Sequence, residues 1–201
     1  MSNSIRLVTA ILRFLKPGLL LHKFLDQGGG AEPIDKVYLN DEGVMVLPAG
    51  NFDAMLTNIK IGTSIARIMA SRKGGTGGKL SLKDAPQVLS GNIVFEETEY
   101  PLLGANDVPL VFDGVGPDKV YRLFTRSVAV EAKGGFSRSM VTSVLVPPPV
   151  RVRITMRVSD NPYFTAESLR ELYEAAGMGV RLGTYRKRFG AFVVDAWEIG
   201  A

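Results

Sequence analysis

The clearest strand signal in the chain is Val150-Arg151-Val152-Arg153-Ile154-Thr155-Met156-Arg157-Val158. Apolar and polar side chains alternate strictly along its whole length. Because successive side chains of a β-strand point to opposite faces, this pattern predicts a strand with one face in the core and one in solvent. The solvent face carries three arginines, Arg151, Arg153 and Arg157.

These three arginines can be explained in two ways. Like charges on one sheet face repel each other unless an anion compensates them. Carboxylates on a neighbouring strand would be the ordinary compensation, and the phosphate chain of a nucleic acid would be the functional one. We take the phosphate chain as the hypothesis and pairing with carboxylates as the alternative.

The first part of the chain predicts strands followed by helices. Residues 5–13 are rich in Ile, Leu and Val and predict a strand, although a helix also fits the pattern. Residues 37–47 predict a hairpin. A helix is expected to begin at Asn51 as its N-cap, and Thr63 or Ser64 is expected to cap a continuation of it.

The second part of the chain predicts mainly strands, with one well-specified helix. The predicted strands are residues 92–96, 120–130, 140–146 and 191–197. The helix has Thr165 as its N-cap, and Phe164 and Leu169 are placed to form a hydrophobic staple.

The order of these elements predicts the fold class. With insertions around residues 17–36, 72–90 and 98–118 set aside, the order is strand, helix, two strands, helix, strand. This βαββαβ order predicts an α+β fold with a ferredoxin-like (RNA-recognition-motif-like) core and long insertions. We expect one domain over residues 1–201, because a chain of this length with 46% hydrophobic residues can bury one core.

A glycine-rich basic segment, residues 177–190, joins the helix to the last strand. Its candidate nucleic-acid-binding residues are Gly179, Arg181, Gly183, Tyr185, Arg186, Lys187 and Arg188. Glycine lets a backbone approach a ligand closely, the cations bind phosphate, and Tyr185 or Phe189 offers a ring on which a base could stack. The alternative is a solvated connector in which Gly177 or Gly179 caps the helix.

A second glycine-rich loop, residues 72–79, contributes the further candidates Arg72, Lys73 and Lys79. It could wrap around a phosphate backbone, or it could be flexible without binding anything. It is not a P-loop, because the order and spacing of that motif are absent.

Charge is segregated along the chain, although the net charge is only +4. Residues 60–83 contain cations and no acid, residues 84–118 contain acids and no cation, and residues 119–157 contain a single acid. Such blocks are typical of a polyanion-binding surface beside a self-association surface, or they pair within one molecule.

The composition restricts the compartment. The chain has no cysteine, which excludes disulfides and thiolate metal sites and suits a cytoplasmic protein. No apolar run reaches the length needed to span a membrane. We expect a cytoplasmic protein with no membrane partner and no cofactor.

The element order, the strand–Pro–helix passage over residues 44–59 and the glycine-rich loop before the last strand resemble the RAMP superfamily. These repeat-associated proteins include the backbone subunits of CRISPR effector complexes, and phage-encoded proteins of similar pattern exist. The resemblance implies that the ferredoxin-like core binds RNA and that the glycine-rich loop is the family's mark. The matching positions are Gly177, Gly179, Gly183 and Gly190, beside Arg181, Arg186, Lys187 and Arg188. The resemblance covers about half the chain, and the acidic segment 84–118 has no counterpart in it.

The sequence offers little for catalysis. The single histidine, His22, lies in an apolar stretch and is expected to be structural. Without cysteine there is no Cys/His nucleophile, and one histidine makes no His-based zinc site. Glu96, Glu97 and Glu99 are expected to be a solvated charge run, since successive carboxylates on a strand point to alternate faces. RNA-cleaving RAMP relatives commonly rely on histidine, so the resemblance implies binding without cleavage.

Two functions follow from these observations. The first is a non-catalytic protein that binds RNA or single-stranded DNA, as a repeating subunit that self-associates or joins other subunits in a ribonucleoprotein assembly. The second is a structural or assembly protein of a phage or multi-subunit complex, whose charge blocks contact other proteins. A metal-dependent nuclease ranks last, since it would need clustered carboxylates.

Overall fold

The structure, a computed structural model, describes residues 4–23, 32–59, 64–71, 80–132 and 135–200, with the backbone alone over 128–132 and 135–137. Arg72, Lys73 and Lys79, and the expected cap Thr63, lie outside the described residues. The strands are β1 (Ile5–Phe14), β2 (Leu19–Leu21), β3 (Val46–Pro48), β4 (Ile93–Phe95), β5 (Glu99–Leu103), β6 (Arg122–Ala132), β7 (Gly135–Val146), β8 (Arg151–Ser159) and β9 (Phe192–Ile199). The α-helices are α1 (Ala49–Thr57), α2 (Ile65–Ser71), α3 (Ala85–Asn92) and α4 (Ala166–Gly179).

The main sheet is built around β1 and β8. Its strand order is β3-β5-β8-β1-β9, and β4 also pairs with β8, next to β5 along the same edge. All of these pairs are antiparallel. The α+β class expected from the sequence is therefore confirmed.

Strand β8 has the two faces that its sequence predicts. Val152, Ile154, Met156 and Val158 are fully buried. Helix α4 packs on this face, and the buried Tyr173 hydroxyl lies 3.6 Å from the sulfur of Met156. The opposite face, which carries the arginines, remains open, so the strand separates the core from a charged surface.

A second, smaller sheet has the strand order β2-β7-β6. Strands β6 and β7 form a long antiparallel hairpin that runs from the pair Arg122–Leu145 to the pair Ala132–Gly135. Strand β2 pairs with the end of β7 nearest the body, from Leu19–Val146 to Leu21–Val144. Leu19, Leu21, Val144 and Val146 join the same hydrophobic core as the main sheet.

Of the two predicted N-caps in this part of the chain, the one for α1 was wrong and the one for α2 is confirmed. Helix α1 begins at Ala49 with Pro48 as its N-cap, two residues before the expected cap Asn51. The Ala49 amide donates to the Thr98 carbonyl (2.8 Å), so the first turn is satisfied without a capping side chain. Ser64, by contrast, caps α2 as expected, since its hydroxyl accepts from the Arg67 amide at 3.3 Å.

Helix α4 starts as predicted and ends differently. The Thr165 hydroxyl accepts from the Ser168 amide (3.3 Å), and the Ser168 hydroxyl accepts from the Thr165 amide (2.9 Å). The helix continues through Gly179, with Val180 as its C-cap. Gly177 is therefore not a cap. It lies inside the helix, and glycine is required there because a Cβ would collide with the Phe192 carbonyl of β9.

The segments expected to be insertions contain ordered elements that the sequence did not reveal. Helix α3 lies partly within the expected insertion 72–90, and its buried residues are only Ala85 and Leu89, too few to give a helical period. Strand β5 lies within 98–118 and contains Pro101, a residue that argues against a strand. Its alternation is nonetheless regular, with Tyr100 and Leu102 buried.

Candidate nucleic-acid interface

The glycine-rich loop, residues 180–190, folds back onto its own chain. The Leu182 amide donates to the Gly190 carbonyl (3.0 Å), and the Thr184 amide donates to the Leu20 carbonyl of β2 (2.9 Å). The Gly190 amide donates to the Gly18 carbonyl at 2.9 Å. These bonds fix the loop against β2 and against the turn that follows β1.

Two glycines are required for this packing. Gly190 (φ +74°) and Gly183 (φ +77°) have left-handed backbones, and a Cβ at either would collide with a carbonyl oxygen, that of Leu182 or Leu20. From the sequence, glycine is expected to admit a ligand in this loop. In the structure, the close approach at these two positions is to the protein's own backbone.

The aromatic residues of the loop pack against β6. The Tyr185 ring stacks on Phe124 (centroids 6.3 Å apart, interplanar angle 23°), and Phe189 meets Phe124 edge-on at 4.8 Å. Phe189 is 2% exposed, so the expectation that it could stack a base is wrong. Tyr185 is 37% exposed and remains at the surface.

Arginines cover these rings. The Arg126 guanidinium lies 4.5 Å from the Tyr185 ring centroid, and that of Arg188 lies 5.9 Å from the Phe124 centroid. Stacking of this kind positions a guanidinium plane while leaving its edge free to donate hydrogen bonds. We call Phe124, Arg126, Tyr185, Arg186, Arg188 and Phe189 the loop cluster.

The cations of this region have no carboxylate partners among the described residues. The ion pairs found there do not involve Arg126, Arg181, Arg186, Lys187 or Arg188. Burial lowers the pKa of Arg186, which means that its charge is only partly solvated. Partly desolvated, unpaired cations beside aromatic rings form an environment that favours an anion such as phosphate.

Arg181 has a different role from its neighbours. Its guanidinium donates to the carbonyls of Met178 (3.1 Å) and Lys187 (3.0 Å), so it holds the two ends of the loop together. Lys187 is exposed, and Gly179 lies exposed at the end of α4. The structure thus brings Tyr185 and Arg188 into contact with two residues of β6, Phe124 and Arg126, and Arg186 lies between them in the sequence, partly buried.

The three arginines of β8 all meet carboxylates on the open face of the main sheet. Arg157 pairs with Glu96 at 2.9 Å. Arg151 lies 3.5 Å from Asp107 and 3.8 Å from Asp195, and Arg153 lies 3.8 Å from Asp107. Pairing with carboxylates, the alternative given above, is therefore what the isolated chain shows.

One of these carboxylates sits at a bulge. The register between β1 and β9 shifts between Ile11 and Leu12, which leaves Asp195 as an extra residue on β9. Its carboxylate accepts from the Arg13 Nε at 2.8 Å and 3.0 Å. Sequence reasoning missed Arg13 because the register that places it opposite Arg151 depends on distant strands.

Sequence reasoning also missed Phe124 and Arg126. Their spacing of two residues on a predicted strand placed them on one face. Nothing local, however, indicated that residues 185–189 would pack there, since the contact joins segments about sixty residues apart in the sequence.

Other chemistry is sparse in the described part of the chain. His22 donates from Nδ1 to the Thr142 carbonyl (3.0 Å), and burial lowers its pKa. No group of three or more Asp, Glu, His or Cys side chains that could hold a metal ion occurs among the described residues. None of the helices described is long and apolar enough to cross a membrane.

Comparison with known proteins gives a likeness of fold. No family model and no curated protein matches the chain. Among solved structures, a chain of the cryo-EM structure of the Type III-B Cmr-beta bound to cognate target RNA matches with a TM-score of 0.57 and 12% identity. The match covers 97% of this chain, which spans 60% of the length of that chain. At this identity the likeness shows a similar fold and no more.

Proposed function

We propose that this chain is a non-catalytic subunit of a ribonucleoprotein-type assembly and that it binds single-stranded RNA through the loop cluster and Lys187. The observation that carries the proposal is the contrast between the two basic surfaces. The arginines of the sheet face have carboxylate partners, whereas Arg126, Arg186 and Arg188 have none among the described residues. The solved structure with a similar fold is of a complex bound to target RNA, which supports the same ligand class.

The proposed interaction is mainly with phosphates. Phe124 and Tyr185 hold the guanidinium groups of Arg126 and Arg188 in place, so their outer edges can donate paired hydrogen bonds to phosphate oxygens. The exposed part of the Tyr185 ring could contact one base. Such a site binds single strands with little dependence on sequence, and its affinity falls steeply with salt.

The absence of cleavage is part of the proposal. His22 is engaged with the Thr142 carbonyl between β2 and β7, and its lowered pKa keeps it neutral near pH 7. A ferredoxin-like core is also proposed. It rests on the neighbouring antiparallel strands β9, β1, β8 and β4, with α1–α3 between β1 and β4 and α4 between β8 and β9 in the chain.

The test is fluorescence anisotropy with labelled single-stranded RNA, single-stranded DNA and duplex over a salt series. The double variant Arg186→Ala/Arg188→Ala should bind RNA at least about tenfold more weakly, and its salt slope should fall by about 0.7 for each phosphate that the variant no longer neutralises. Arg170→Ala is the control for the loss of a surface arginine, because Arg170 is an exposed residue of α4 that pairs with Glu174 and lies outside the loop cluster. Equal weakening in both variants, or no binding at low salt, would contradict the proposal.

A second candidate is the assembly protein. It is favoured by the far end of the open sheet face, where Ile5, Leu7 and Val94 are exposed around the Arg157–Glu96 ion pair. A largely apolar surface whose arginine already has a carboxylate partner suits a protein partner better than a phosphate chain. Purified protein with no raised 260/280 nm absorbance ratio and no RNA affinity would favour it.

A further inference from the structure

We propose that Asp107 is an intramolecular competitor for a phosphate chain at Arg151 and Arg153. These two arginines would extend the nucleic-acid surface from the loop cluster onto the open face of the main sheet. The inference rests on the proposed function. It adds a carboxylate that regulates binding, and it assigns phosphate binding to Arg151 and Arg153 but not to Arg157.

The first observation is that the arginines of the sheet face are unequally satisfied. The Arg13 Nε donates a bifurcated hydrogen bond to both oxygens of Asp195, and Arg157 donates one of 2.9 Å to Glu96. The carboxylates nearest Arg151 and Arg153 lie 3.5–3.8 Å away, beyond good hydrogen-bond distance. The Nε of Arg151 is buried and has no hydrogen-bond partner among the described residues, so the donors that Arg151 offers to an external anion are those on its Nη atoms.

A guanidinium with unused donors still offers an anion site. A phosphate can accept two parallel hydrogen bonds from one guanidinium. The Asp107 carboxylate, at 3.5 and 3.8 Å from Arg151 and Arg153, does not accept hydrogen bonds of this kind. Arg151 and Arg153 therefore retain most of their binding capacity, whereas Arg157 has already used part of its own. The structure thus distinguishes residues that the sequence placed in one group.

The second observation concerns the carboxylate itself. Asp107 ends the short 3-10 segment Ala105–Asp107, and its carboxylate makes no hydrogen bond within the described residues. Its contacts there are the two loose ion pairs with Arg151 and Arg153. Asp195, in contrast, is held by Arg13 on a strand of the sheet. Asp107 is the carboxylate that can leave the arginines without breaking a hydrogen bond.

The position of the site links it to the loop cluster. Arg13 and Arg151 are direct neighbours across β1 and β8. At this same end of the sheet the Leu15 amide donates to the Ala191 carbonyl, directly after the glycine-rich loop. In this proposal, a strand of nucleic acid bound at the loop continues onto Arg151 and Arg153 once Asp107 moves aside.

The experiment compares Asp107→Asn with Asp113→Asn by anisotropy, using fluorescein-labelled single-stranded oligouridylate over a salt series. Both substitutions remove one negative charge from the acidic segment, but Asp113 pairs with Lys119 and forms no ion pair with Arg151 or Arg153. Asp107→Asn should tighten binding about fivefold at low salt, the factor corresponding to one exposed ion pair, and Asp113→Asn should tighten it much less. Adding Arg151→Ala and Arg153→Ala to Asp107→Asn should remove the gain, whereas adding Arg157→Ala should not.

The outcomes separate this inference from the proposed function. Wild-type binding that depends on Arg186 and Arg188 but is unchanged by Asp107→Asn would overturn the competitor and leave the RNA-binding site standing. No binding by wild type or Asp107→Asn would overturn both. A gain in Asp107→Asn that a polyglutamate peptide competes away as well as RNA does would overturn the assignment to phosphate. Thermal unfolding of each variant, followed by Trp197 fluorescence, verifies that the comparisons use folded protein.

Discussion

At the scale of single residues, Gly190 shows why glycine is needed where the basic loop returns to the body. Its amide donates to Gly18, and its α-carbon sits against the Leu182 carbonyl in a left-handed backbone. Gly179, only eleven positions earlier, has no positive φ, and a Cβ there would meet no other atom within 4 Å. The two glycines look alike in the sequence and have different structural roles.

This difference predicts opposite effects of the same substitution. Gly190→Ala should lower the free energy of unfolding by at least about 2 kcal/mol, because the new methyl group collides with backbone and the left-handed φ is strained. Gly179→Ala should be neutral or stabilising by up to about 1 kcal/mol, since alanine favours the helix. Urea unfolding followed by Trp197 fluorescence measures both. Equal stability of the two variants would show that the loop is not packed as described.

At the scale of elements, the sequence predicts β8 and α4 from local patterns. It predicts the strands of the β6–β7 hairpin only in part, and it does not predict which segments pack against them. Alternation along β8 and the N-cap of α4 are local signals, so the buried face of β8 and the start of α4 were predicted well, whereas the end of α4 was not. The packing of Tyr185 on Phe124 and the pairing of Arg151 with Asp107 join distant segments. No periodicity records such contacts, because they depend on how the elements meet in three dimensions.

The junction of β2 and β7 gives a pH prediction. Burial lowers the pKa of His22, the only histidine, so the unfolded chain takes up its proton at a higher pH than the folded one. Between the two pKa values the unfolded state binds more protons, and stability therefore falls as the pH drops below about 6.5.

The measurement is the free energy of unfolding between about pH 7.5 and 5.5. This range is chosen because Asp and Glu side chains with ordinary pKa values stay mostly ionised in it. The free energy of unfolding of His22→Gln should be nearly independent of pH over this range, since the glutamine amide can donate a hydrogen bond to the Thr142 carbonyl and does not titrate. If the free energy of unfolding changed with pH by the same amount in wild type and His22→Gln, groups other than His22 would cause the pH dependence.

At the scale of the whole molecule, the charge blocks of the sequence become two surfaces with different character. The acidic segment 84–118 supplies Glu96 and Asp107 to the sheet face, so part of the charge segregation is compensated within one chain. The loop cluster receives no such compensation from the described residues. Composition indicated that positive charge was available for a ligand, but only the fold shows which cations remain unpaired.

Binding of RNA at the loop cluster is tested by ultraviolet cross-linking of bound single-stranded RNA followed by mass spectrometry. We expect cross-linked peptides from residues 180–190 and from β6 around Phe124, with Tyr185 the foremost site because it is 37% exposed. Cross-links concentrated at the far end of the sheet, around Leu7 and Val94, would contradict it.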